Sequence, residues 1–193
     1  MFSFKEKDTF SDEKFAELAK CKKVIDLGGG ARFSKWPEKY KSLFINVDFQ
    51  SVDNVAEFNP DILSDIENLN LPNDYADGAF CLAVLEHTKN PHLAIAEMHR
   101  VLKIGGKAFV YVPFLYSYHG NEQYKDYYRF TKDGLEYLFR NFSQVEIVPV
   151  RGAIETILYL LPFKIIRKLL FLIRPFDKKT KTQASGYSIW VVK

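Results

Sequence analysis

Short apolar runs recur along the chain: KVIDL at 23–27, SLFINVD at 42–48, GAFCLAVL at 78–85, KAFVYVPF at 107–114, VEIVPV at 145–150 and GYSIWVVK at 186–193. Their length, and their content of β-branched and aromatic residues, are those of strands apolar on both faces. Between the third and fourth runs the period changes. Asn90 is a good N-cap, Pro91 suits the first helical position, and Gly105–Gly106 ends the segment. Leu93, Ala96, Met98, Val101 and Leu102 supply an apolar stripe, and a second helix from Thr131 places Leu135, Leu138, Phe139 and Phe142 on one face. Strands alternating with helices predict an α/β chain whose mostly parallel sheet carries helices on both faces. No repeat, low-complexity run or Pro/Gly/Ser linker divides it, so residues 1–193 are expected to form one domain.

Ligands of such sheets bind beyond the carboxyl ends of the strands. VIDL, the first predicted strand, runs straight into Gly28, Gly29 and Gly30. Three glycines are costly to order, and a turn at this point lets the backbone approach a ligand closely. Asp48 is read as closing the second strand, 20 residues after Gly28, where an acid can accept hydrogen bonds from ribose hydroxyls. The plainer reading of the same residues is a structural tight turn with Asp48 as a helix cap. A dinucleotide fingerprint needs a third glycine three residues after the second, and Phe33 occupies that position. A nucleoside ligand is expected, and NAD is disfavoured.

VIDLGGG, the acid at Asp48, DILSDIENLNLP, and DGAFCLAVLEHTKNPHLAIAEMHRVLKIGGKAFVYVPF form an ordered series. Over residues 20–150 it resembles class I S-adenosylmethionine-dependent methyltransferases of the type 11 kind. The resemblance implies a doubly wound, Rossmann-like sheet of seven strands with the last antiparallel. It divides the chain into an N-terminal helical region (1–20), a cofactor-binding half (21–114) and an acceptor-side half (115–193). It places Asp26, Gly28, Gly29 and Gly30 at the methionine part of S-adenosylmethionine and Asp48 at its ribose. Asp65 and Ile66 fall at the adenine, and Leu82 and Ala83 near the methyl donor, with Glu86 and His87 just beyond. The family's third glycine is Arg32 here, and Ile104 replaces the usual proline of the K-P-G-G turn.

The acceptor side begins with FLYSYHGNEQYKDYYRFT, 114–131, an aromatic and polar stretch after a strand. Its second half resembles an H…DYYR-[FY]-T stretch found in one branch of these enzymes beside the acceptor pocket. His119 titrates near neutrality and could take a proton from an acceptor hydroxyl or amine. Together with His87, the residues Tyr127, Tyr128 and Arg129 are candidate acceptor contacts, by stacking and by pairing with an anionic group. The competing reading makes Asp126–Arg129 a loop-bracing ion pair. Nothing in the stretch identifies the acceptor, which is expected to be a small molecule, a glycan or a lipid-linked compound.

Composition changes the picture little. The chain is 47% hydrophobic and 16% aromatic, enough for a sizeable core, and its formal net charge of +3 conceals an asymmetry. Between Arg151 and Lys181 lie eight basic residues against two acids, leaving the remainder net negative, so nucleic acid is not an expected partner. Within that segment, 163–174 reads as a basic amphipathic helix, docked as a packing element or lid or touching a membrane surface. A charged N-terminus without an apolar leader and two unpaired cysteines point to the cytoplasm. P-loop, G-x-S-x-G and H-E-x-x-H motifs are absent from the sequence, and no metal site is expected from His87, His92 and His99. A non-catalytic nucleotide-binding module and, less favoured, an NAD-dependent oxidoreductase are the alternatives to methyl transfer.

Overall fold

Alternate residues of the central strands face two separate cores, and this period of two organises the fold. Val24, Phe80, Phe109 and Trp190 point to one side of the sheet, while Ile25, Ala79, Cys81, Val110, Ile189 and Val191 point to the other. A computed structural model describes residues 9–33, 36, 38–160 and 184–193, except the side chains of Leu158 and Tyr159. The basic segment 163–174 lies outside the described residues.

The elements are α1 (Thr9–Leu18), β1 (Lys23–Leu27), α2 (Glu38–Lys41), β2 (Asp48–Asp53), β3 (Ile62–Leu63), β4 (Ala76–Leu82), α3 (Pro91–Val101), β5 (Leu102–Pro113), α4 (Lys132–Leu138), β6 (Gln144–Val150), α5 (Ala153–Leu160) and β7 (Gly186–Val192). Seven strands form one sheet in the order β3-β2-β1-β4-β5-β7-β6. β7 runs antiparallel between β5 and β6, and the other six share one direction. The doubly wound, Rossmann-like sheet expected from the sequence is therefore present.

Helix α1 inserts Phe15 and Leu18 into an aromatic core with Trp36, Tyr40, Phe44, Phe49 and Phe80. The Phe15 ring meets those of Phe80 and Phe109 edge-on at 4.8 and 5.0 Å. Each fully buried phenylalanine contributes about 1.5–3 kcal/mol by leaving water. Helices α3 and α4 cover the opposite face.

Three local expectations need correction. The second strand is Asp48–Asp53, not 42–48, because Ser42–Phe44 forms a 3-10 turn whose Phe44 drops into the aromatic core. Gly105 and Gly106 do not end α3. The helix stops at Val101, and both glycines lie inside β5, with Gly105 at φ 76°. The buried face of α3 is Ala94, Ile95, Met98 and Val101, whereas Leu93 and Ala96 face outward. LAIA is apolar at four consecutive positions, so its helical register could not be fixed from pattern alone. Among the described residues no helix is long and apolar enough to cross a membrane.

Candidate active site

The carboxyl ends of β1, β2 and β4 open onto a cleft of about 690 Å³. One wall is backbone. Gly28 and Gly30 have φ of 75° and 62°, the left-handed region that glycine enters without strain. A Cβ on Gly28 would also overlap the Val84 side chain, and one on Gly29 would overlap the Asp26 carboxylate. Sterics thus require glycine at 28 and 29, and the chain lies flat where side chains would fill the space. Phe33, standing where a dinucleotide site has its third glycine, keeps a glycine-like φ of 57°. Its ring stacks on Phe49 at 4.3 Å, so apolar packing offsets the backbone cost, about 1–2 kcal/mol. Arg32 forms an ion pair with Asp61, whose carboxylate also accepts from the Ser51 amide, tying the turn to the loop between β2 and β3.

The acid at this end of β2 is Asp53. Its Oδ2 accepts from Gly30 N at 3.0 Å and its Oδ1 from Val55 N at 3.0 Å, and its side chain lines the cleft. Asp48 occupies the opposite end, pairs with Lys23 at 3.3 Å, is exposed and does not line the cleft. Five residues of strand separate the two carboxylates by about 16 Å. Asp48, expected at the ribose, therefore lies outside the cleft, and Asp53 is the acid of β2 that enters it. Asp65 and Ile66 line the next part of the cleft with Phe58, and Leu82 and Ala83 lie at the end of β4. Ala83 adopts φ 57°, and its amide is held by the Tyr111 carbonyl at 2.9 Å. Strained backbone of this kind persists where the surroundings over-determine it.

Just past β4, the 3-10 turn Leu85–His87 turns Glu86 inward and His87 toward the cleft. The rim loop 114–131 is fastened here. Tyr127 N donates to the Glu86 carbonyl at 2.7 Å, and His87 Nδ1 donates to the Lys125 carbonyl at 2.6 Å. His119 sits between two carboxylates, with Nε2 at 3.4 Å from Glu86 Oε1 and Nδ1 at 3.3 Å from Asp126 Oδ2. Glu86 chiefly holds its pKa above the ordinary histidine value, against the opposing effect of burial, with the Ser117 carbonyl and Asp126 adding to the rise. The Glu86 contact is long and poorly aligned for a hydrogen bond but close enough to favour the imidazolium.

His87, His119 and Tyr127 line the cleft; Tyr128 and Arg129 do not. The Tyr128 hydroxyl donates to the Lys89 carbonyl at 2.8 Å. Arg129 makes a bidentate pair with Asp126 at 2.5 and 2.7 Å and also donates to the carbonyls of Tyr116 and Ser117. That pairing draws the Asp126 carboxyl down to about 2. Arg129 braces the loop that carries His119, which is the competing reading of the sequence. His92 and His99 lie on α3, against the rings of Tyr137 and Phe142.

Residues 25–110 match the family model for a methyltransferase domain. That match spans a little under half of the chain. The chain is 28% identical over 139 residues to the 2-methyl-6-phytyl-1,4-hydroquinone methyltransferase of Arabidopsis thaliana, a match covering 65% of the chain and 41% of that relative. The chain thus spans less than half the length of the curated relative it matches. A solved methyltransferase from Archaeoglobus fulgidus shares the fold with TM-score 0.61 and 17% identity, covering 97% of this chain and all of the other. The 1,6-didemethyltoxoflavin-N1-methyltransferase of Burkholderia thailandensis superposes with TM-score 0.53 at 17% identity, covering 96% and 81%.

Sequence reasoning missed Asp53 and gave Glu86 no role. The signal for Asp53 was the run FQSVDN, an alternating strand ending in an acid and then a turn residue.

Proposed function

We propose that the chain binds S-adenosylmethionine along the ends of β1, β2 and β4 and transfers its methyl group to an oxygen or nitrogen of a small-molecule, glycan or lipid-linked acceptor. The observation carrying this reading is the pairing of the Gly28–Gly30 turn with the Asp53 carboxylate in one cleft. The residues present fit the cofactor. Side-chain-free backbone at Gly28 and Gly29 leaves room for its amino-acid tail, Asp53 suits two ribose hydroxyls, and Ile66 and Phe58 give an apolar bed for adenine. When bound, the cofactor supplies a methyl group on a positively charged sulfur.

The chain's own part is to position and to remove a proton. Little covalent chemistry is asked of the protein when an acceptor is held in line with the methyl. Leu82, Ala83 and Val84, at the end of β4, line the cleft together with the glycine turn and His119, and the acceptor half is taken to begin there. His119 takes the acceptor's proton, and Glu86 stabilises the imidazolium so formed. Asp126 and Arg129 hold the ring in place from behind.

Calorimetric titration with S-adenosylhomocysteine, S-adenosylmethionine and NAD tests the reading. Micromolar binding of the first, about −8 kcal/mol, is expected, with no heat from NAD. Binding of NAD alone would overturn it. Binding of S-adenosylhomocysteine without methyl transfer to any of a broad acceptor panel would favour a non-catalytic module.

A further inference from the structure

Charge divides the cleft. Among the described residues that line it, the acids are Asp26, Asp53, Asp65 and Glu67, all on the cofactor side, and no lysine or arginine accompanies them. From Leu82 onward the sign reverses. The lining residues there include Lys89 and Lys125, with His87 and His119, and no acid. The two halves meet where the Lys89 amide donates to Glu67 Oε1 at 2.6 Å.

The carboxylates behind the acceptor wall are already matched. Glu86 is fully buried and faces His119 Nε2 at 3.4 Å, and the Asp126 carboxylate is held by Arg129 in a bidentate pair. Glu122, the other acid of the rim loop, is exposed and does not line the cleft. Among the described residues neither Lys89 nor Lys125 enters an ion pair. The Lys125 ammonium makes one long contact, 3.3 Å to the Asn121 carbonyl. Main-chain bonds fix where both lysines stand. The Lys89 carbonyl accepts from the Tyr128 hydroxyl at 2.8 Å, and the Lys125 carbonyl from His87 Nδ1 at 2.6 Å. These crossing bonds hold the two loops side by side, so both lysines belong to one braced rim. A cleft wall of one sign focuses its field and gathers ligands of the opposite sign.

We infer that the acceptor of the proposed methyl transfer carries an oxyanion, a phosphate or a carboxylate, held at the cleft mouth by Lys89 and Lys125 while the reacting atom lies inward beside His119. This rests on the methyl-transfer reading. A neutral acceptor would leave both cations to water, and a cationic one would be repelled by them. Lysines act as mobile point charges rather than planar forks, so either oxyanion suits them. Tyr124 and Tyr127 line the same mouth and offer rings to the acceptor's apolar part. The division of charge also sorts the two ligands. S-adenosylmethionine is net positive and suits the acidic half, whereas an anionic acceptor is turned away from that half and drawn to the other.

The test is a backbone amide ¹H–¹⁵N correlation spectrum of the full chain saturated with S-adenosylhomocysteine, at fixed pH and low salt. Phenyl phosphate, benzoate, benzyl alcohol and benzylamine are titrated separately. Failure to bind S-adenosylhomocysteine would count against the methyl-transfer reading itself; the oxyanion contact is judged only on protein that binds it. Saturable shifts at Thr88, Lys89, Lys125 and Tyr127 are expected with phenyl phosphate or benzoate, and the tighter of the two names the oxyanion. Benzyl alcohol and benzylamine should bind more weakly by about tenfold or more. Raising the salt should weaken the anion response, as should Lys89→Glu combined with Lys125→Glu, the latter by about tenfold or more. Both side chains are exposed, and a thermal melt checks that the double variant folds. Lys89→Gln with Lys125→Gln is the second pair if it does not. Absence of a saturable response to either anion would overturn the inference. So would equal or tighter binding of benzyl alcohol or benzylamine, or anion binding that the lysine variants leave unchanged.

Discussion

Exchanging Asp53 for asparagine isolates the charge that the ribose assignment depends on. The carboxylate spends one lone pair of each oxygen on a backbone amide, Gly30 N and Val55 N, both at 3.0 Å. The remaining lone pairs face the cleft and can each take a hydroxyl proton. Hydrogen bonds to a charged group contribute about 1.5–3 kcal/mol each. Asparagine removes the charge and turns one oxygen into an NH₂, which either abuts a backbone donor or abandons a ribose hydroxyl. A loss of about 2–3 kcal/mol is expected, which is roughly 30- to 150-fold in Kd for S-adenosylhomocysteine. Calorimetry measures it, with a thermal melt of the free protein run in parallel. Asp48→Ala is the control, about 16 Å away on an exposed strand end. Its ion pair with Lys23 is worth at most about 1 kcal/mol of stability and nothing to binding. The opposite pattern, with Asp48→Ala weakening the ligand and Asp53→Asn sparing it, would refute both the assignment and the topology argument behind it.

His119→Ala should lower the methyl-transfer rate by about 10²-fold or more, with S-adenosylhomocysteine affinity unchanged by calorimetry; a fully active variant leaves His119 a structural role only. Because Glu86, Asp126 and the Ser117 carbonyl raise the His119 pKa against burial, its basic form accumulates only above 6.5. kcat/KM should therefore climb through an inflection above 6.5, and Glu86→Gln should move that inflection to lower pH. An unmoved inflection would separate His119 from the pH profile. Gly29→Ala forces a Cβ into the Asp26 carboxylate and should abolish measurable cofactor binding while the rest of the sheet still folds, as circular dichroism can follow. Arg129→Ala should lower the melting temperature by several degrees, about 2 kcal/mol, by stranding the nearly buried Asp126 carboxylate. Asp126 has a folded pKa depressed to about 2, so its contribution is complete above the unfolded value near 3.8 and is lost as pH falls through about 2. Melts of the wild type and Arg129→Ala should accordingly converge toward pH 2.

The architecture was legible because its signals are local. KVIDL and KAFVYVPF alternate between two cores with a period of two, and a strand buried on both faces has few other ways to read. The glycines were legible for a steric reason as well, since the crowding by Val84 and Asp26 tolerates nothing larger. What failed was register. SLFIN has the composition of a strand, but Phe44 is drawn into an aromatic core with the nearby Trp36 and Phe49 and with Phe80 from a later strand, and the backbone turns there instead. That displacement carried the strand forward five residues and put Asp53, not Asp48, beside Gly30.

The acceptor wall was illegible for a different reason. Glu86 and His87 are adjacent, but His119 is 32 residues further on, and only the docking of the rim loop onto the Glu86 carbonyl brings it back. His92 and His99, on α3, take no part in this wall and meet the rings of Tyr137 and Phe142. Arg129 looked like an anion hook because its partner, Asp126, lies three residues away and could as well have been solvated. The structure joins these residues into one line: Arg129 fixes Asp126, Asp126 fixes His119, and His119 faces a buried carboxylate at the mouth of the cleft. Each link is a charge held by the next. An alanine at Arg129 should therefore act on catalysis through the position of His119, lowering kcat more than it raises KM.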